Sequence, residues 1–108
     1  MNPINLSIAR DFSITPGGRK ASEGKYSGEE FRKKFLEPNI KAAMESNGVV
    51  NCDLDGCLGY PSSFLDESFG VLGRDLKAKK IDIFSYLKLK CEDEPTLIGE
   101  ITKYIQDV

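Results

Sequence analysis

Residues 49–76, VVNCDLDGCLGYPSSFLDESFGVLGRDL, constrain the fold of this chain more than any other stretch. They read as a buried strand, a glycine-containing turn and a helix. Val50, Cys52 and Leu54 alternate onto one strand face, with Val49 beside them. Residues 55–60, Asp-Gly-Cys-Leu-Gly-Tyr, form the turn. Leu65, Phe69, Leu72 and Leu76 then recur at helical spacing, forming a stripe for packing on a sheet. Pro61, Ser62 and Ser63 open that helix, and the serines are expected to cap its free N–H groups. The same groups, with the helix dipole, favour a phosphate at this point. A strand lying between two helical segments fits a parallel crossover, and in open α/β sheets ligands gather at the carboxyl ends of the strands.

The remaining elements follow from the same kind of pattern. Ile4, Leu6 and Ile8 alternate with Asn5, Ser7 and Ala9, which predicts a strand over 4–9 that Phe12 and Ile14 can extend. Residues 15–28 hold Pro16, Gly17, Gly18 and Gly24 and read as a long loop, functional or hiding a short strand. Within it, Gly17, Gly18, Arg19 and Lys20 are a candidate anion cradle, with a plain solvated turn as the simpler account. Ser27 and Glu30 make a capping box for a helix that buries Phe31, Phe35 and Leu36. That helix is expected to kink or restart at Pro38 and to stop at Asn47-Gly48. Residues 81–91 alternate as a long strand, with Phe84 and Tyr86 on its polar face, placed under the N-terminal loop or against a partner. A last helix follows Pro95, with Leu97, Ile101, Tyr104 and Val108 on one stripe. The result is one α/β domain over 1–108: a strand and loop over 1–26, then a helix–strand–helix–strand–helix core over 27–108. About four strands in a mixed sheet carry the packed helices.

Composition narrows the function. The net charge is -2, so no basic field favours nucleic acid. No apolar run approaches the roughly 20 residues a membrane span needs. The first residues carry no cationic lead and no cleavage site, so no signal peptide is expected. Cys52, Cys57 and Cys91 fit no zinc spacing and read as reduced thiols in a cytoplasmic protein. There is no histidine, which removes the commonest general base and metal ligand.

The run Val49-Val50 into Asp53-Leu54-Asp55-Gly56, followed by residues 62–70, Ser-Ser-Phe-Leu-Asp-Glu-Ser-Phe-Gly, resembles the STAS-like domain family. The nearest branch is the bacterial one of unknown function. Residues 27–31, Ser-Gly-Glu-Glu-Phe, and Leu36-Glu37-Pro38 also look like it, so the resemblance spans roughly 27–90. It implies a module related to anti-sigma factor antagonists, whose helix start carries a serine phosphorylated by a partner kinase. Ser62 matches that position and Ser63 the next. Pro61 stands where the family has aspartate and Phe64 where it has glycine.

The function expected on these grounds is non-enzymatic: a regulatory module docking on a histidine-kinase-like ATPase or kinase through 56–70. Ser62 and Ser63 are the candidate phosphoacceptors. Gly59, Tyr60, Phe64, Asp66 and Glu67 are the candidate docking residues. A homodimer is left open, and no metal or cofactor is expected. One alternative is an anion- or nucleotide-binding domain using Gly17, Gly18, Arg19 and Lys20. The other is a carboxylate-dependent enzyme using Asp53, Asp55, Asp66 and Glu67 near Ser62, Ser63 and Cys57, with Asp53 and Asp55 able to hold a hard cation, although a carboxylate–serine pair lacking histidine is a poor nucleophile system.

Overall fold

A computed structural model describes residues 3–106. Three strands form one open, wholly parallel sheet in the order β1 (Ile4–Ser7), β2 (Val50–Asp53), β3 (Leu87–Lys90). Four helices accompany them: a single turn α1 (Ile8–Asp11), α2 (28–46), α3 (62–78) and α4 (Thr96–Gln106). The α/β class follows as the element order predicts, with three strands among the described residues rather than about four.

Two of the predicted strands are shorter because side chains cap short helical turns inside them. Ser7 Oγ accepts from the Arg10 N–H at 3.2 Å, and Asp11 accepts from the Ser7 N–H at 2.9 Å. The alternation over 4–9 therefore breaks into α1 after Ser7. Asp82 Oδ1 accepts from the Phe84 N–H at 2.9 Å and starts a 3-10 turn, Ile83–Ser85, which delays β3 to Leu87. Residues 15–28 hold a 3-10 turn, Ala21–Glu23, and no strand.

Ser27 caps α2 by accepting from the Glu30 N–H at 3.0 Å, and Glu30 reaches back to the Tyr26 N–H at 3.1 Å. This is the expected capping box moved out by one residue. Helix α2 runs through Pro38, with a wide π turn, Arg32–Leu36, just before it. The Glu37 N–H bonds the Arg32 carbonyl, and Asn39 Nδ2 donates to the Phe35 carbonyl at 2.7 Å. A wide turn of this kind accommodates the donor that proline lacks. Asn47 ends the helix in the left-handed region at φ 55°.

Helix α3 has its own π turn, Asp66–Gly70, where the buried Ser68 hydroxyl donates to the Phe64 carbonyl at 2.7 Å. Helices α2 and α3 meet so closely that a Cβ on Gly28 would lie 2.7 Å from the Phe64 carbonyl oxygen. Gly73 plays the same part for α4, where Ile105 fills the space a Cβ would need. The buried stripe of α4 is Leu97, Ile101 and Ile105, with Tyr104 only half-buried; Val108 lies outside the described residues. Phe31, Phe64 and Phe69 form the aromatic centre of the core.

Leu6, Val50, Cys52 and Leu87 turn one sheet face into that core. The opposite face carries two rows in register across the strands, Asn5, Asn51 and Lys88, then Ser7, Asp53 and Lys90. Phe84 borders a groove with Gly73, Lys77 and Ile105, and so lies between α3 and α4 rather than under the N-terminal loop. Among the described residues, no helix is long and apolar enough to cross a membrane.

Candidate site at the carboxyl end of the sheet

The turn after β2 is fastened from several sides. The Asp55 carboxylate accepts from the backbone N–H groups of Glu92 and Asp93, both at 2.8 Å. These bonds, from Asp93 and then Glu92, hold the Asp55 carboxyl below its ordinary range. Gly56, at φ +94°, donates to Asp93 at 3.1 Å. The Leu58 N–H donates to the Ile14 carbonyl at 2.8 Å, and the Cys57 thiol donates to the Ser13 carbonyl at 3.3 Å. The Tyr60 hydroxyl donates to the Leu54 carbonyl at 2.7 Å, and burial pushes its pKa up.

This pinned turn holds an apolar side chain in solvent. Leu58 is 79% exposed, Ile14 is 52% exposed and Tyr26 is 40% exposed. Among the described residues they are the exposed large hydrophobics. Ile14 touches the Leu58 turn through the backbone bond just described. Tyr26 packs edge-on against Phe12 at 5.5 Å and accepts, through its carbonyl, from the Gly17 N–H. All three therefore belong to the loops at one end of the molecule. The sequence signal for Leu58 was a lone large aliphatic residue inside a turn of glycine and aspartate.

Helix α3 begins at Ser62, as expected, but its cap is Pro61 in extended conformation, and no side chain caps it. Ser62 is exposed and Ser63 half-buried in the first turn. The predicted capping by these serines is corrected accordingly. Ser62 lines an open cavity of about 320 Å³ with Arg19, Asp66, Arg74 and Tyr104. Asp66 accepts from Arg19 at 2.8 Å and from Arg74 at 2.7 Å. Burial works against its ionisation, but the two guanidinium groups prevail and hold its pKa below the ordinary value. For Tyr104, burial and then the Glu100 carboxylate, to which its hydroxyl donates at 3.1 Å, raise the pKa.

The other predicted residues divide between this cavity and the interior. Phe64 is fully buried, so it presents no side-chain surface to a partner. Glu67 is also buried; it meets Arg32 at 3.0 Å, Lys20 at 3.3 Å and Arg19 at 3.7 Å. Tyr60 is half-buried and Gly59 exposed. Of the candidate anion cradle, Gly17 and Gly18 lie in the loop while Arg19 and Lys20 turn onto the carboxylates of α3. The 15–26 segment is thus a strap tied to α3 by ion pairs 47 residues apart in sequence. Asp53 lies 3.8 Å and Asp55 3.7 Å from Lys90 Nζ. Cys52, Cys57 and Cys91 are free thiols, and burial pushes the Cys52 pKa up.

The family model described as a STAS-like domain of unknown function matches residues 27–90, more than half of the chain. The chain belongs to this STAS-like family. No curated protein and no solved structure gives a significant match to it. Within this STAS-like domain, the matched span covers α2, β2, α3 and β3. The N-terminal strap and α4, which supply Arg19 and Tyr104 to the cavity, lie outside the match.

Proposed function

We propose that this STAS-like domain is a non-enzymatic regulatory module. It docks on a partner of the histidine-kinase-like ATPase or kinase type, through the end of the molecule that carries Leu58. The observation that supports this reading is the exposure of Leu58, on a turn fastened by the Asp55 carboxylate and by a backbone bond to Ile14, and of Ile14 beside it. An apolar side chain carried in water on a fastened backbone gains by burial against a partner, and that backbone loses little further entropy on binding. Ser62, exposed beside that turn, is the residue at which phosphorylation would switch docking. Its phosphate would add up to two negative charges next to the contact surface.

The reading in which residues 17–20 bind a nucleotide draws less support, because Arg19 and Lys20 face Asp66 and Glu67. The test begins with capture of binding proteins on the immobilised domain, followed by their purification. Each is then titrated against the wild type and Leu58→Asp. A loss of at least about thirtyfold is expected for a central apolar anchor. Equal affinity of both forms would overturn the proposal.

A further inference from the structure

Ser62, Asp66, Gly70 and Arg74 recur every four residues and so share one stripe of α3. Arg74 reaches back along this stripe to Asp66, two turns away, at 2.7 Å. Gly70 leaves the passage for it: a Cβ there would lie 2.6 Å from Asp66 Oδ1 and 2.9 Å from Arg74 Nη1. Arg19 arrives at the same carboxylate from the strap at 2.8 Å. Two guanidinium groups thus converge on Asp66 in the cavity that Ser62 lines, one helical turn before it.

We infer that this cavity is a receptor for a phosphoryl group carried on Ser62, in which Arg19 and Arg74 shift from the Asp66 carboxylate to the phosphate. The inference rests on the regulatory reading given above and adds how the modification is read within the domain. In the transfer, Ser62 Oγ attacks the γ-phosphorus of a nucleoside triphosphate held by the partner kinase. The Oγ–P bond forms, the bond to the bridging β–γ oxygen breaks, the nucleoside diphosphate leaves, and a base on the kinase takes the hydroxyl proton. The product places a phosphate one turn from Asp66, where the two anions repel. A phosphate carries more charge and more acceptor oxygens than a carboxylate, so it competes favourably for two forked cations.

The test uses the full chain with phosphoserine placed at position 62 during translation, without kinase or partner. Its second ionisation is followed by phosphorus NMR in the wild-type background and in Arg19→Gln/Arg74→Gln. The helix start acts on both proteins alike, so the difference isolates the arginines. The second pKa is expected to lie about one unit lower with the arginines present. Equal values would overturn the inference. Should the double variant not fold, the Nε–H resonances of Arg19 and Arg74 are compared in the wild-type background before and after phosphatase treatment. Both are expected to move, and unmoved resonances would refute the re-pairing. Neither measurement involves docking, so failure here leaves the Leu58 surface to its own test.

Discussion

The contact between Arg32 and Glu67 joins the two wide turns of α2 and α3, and its removal is open to a quantitative test. The Glu67 side chain is 5% exposed and that of Arg32 11%. Arg32 Nη2 donates to Glu67 Oε2 at 3.0 Å, and Nε donates to the Glu67 carbonyl at 2.9 Å. Removing one partner of a buried pair leaves a charge without its counter-ion, which costs about 3–5 kcal/mol. Here each side keeps a second partner: Glu37 for Arg32 at 2.7 Å, and Lys20 for Glu67 at 3.3 Å. The expected cost of Arg32→Met or Glu67→Met is therefore about 2–3 kcal/mol, at or below the lower end of that range. In a domain of this size that lowers the melting temperature by about 10 °C. The double variant removes both charges and leaves two apolar chains to pack together, so it should be no worse than either single. The cycle then gives a coupling of about 2 kcal/mol, within the range for residues in contact. Urea unfolding of the four proteins measures it. Additive single effects would refute the view that this pair acts as a buried unit.

Gly28→Ala sets a Cβ against the Phe64 carbonyl oxygen, so α2 and α3 must move apart; a loss of about 1–3 kcal/mol is expected by denaturant titration. Asp66 has a pKa below its ordinary value, so the stability it contributes is full above about pH 4 and falls away as acid takes the pH down through the lowered native value. Melting temperatures of the wild type should drop on that acid side, and those of Asp66→Asn should drop less steeply; parallel curves would count against the Arg19–Asp66–Arg74 contact.

The parts of the fold readable in the sequence are those determined by neighbours in the chain. Ser27 caps α2 because the serine oxygen and the Glu30 N–H are three residues apart. Asn47 ends the same helix because asparagine tolerates a positive φ. The Leu65, Phe69, Leu72 and Leu76 stripe is buried because helical spacing alone brings it to one side. Gly73 admits α4 as a helical glycine near a neighbour can, but only the packed structure identifies Ile105 as that neighbour.

What the sequence concealed depends on contacts distant along the chain or on competition between two local patterns. Ser7 alternates like a strand residue yet also caps a turn, and the cap prevails because Asp11 closes back on it. Arg19 and Lys20 beside two glycines looked like a cradle. Their actual partners, Asp66 and Glu67, stand 47 residues away on a helix face that the loop happens to cross. Phe64 carried the bulk expected of a docking residue, but α2 covers it. The exposed apolar residue is Leu58, whose place in a polar turn gave it no periodic pattern to stand out from.

The docking surface is tested most directly by titrating the purified binding partner into isotope-labelled domain and mapping the amide resonances that shift. The shifts are expected to cluster at residues 13–16, at Tyr26 and over 56–63, around exposed Leu58 and Ile14. Shifts gathered instead on the polar sheet face of Asn5, Asn51 and Lys88, or along the groove beside Lys77 and Phe84, would contradict it.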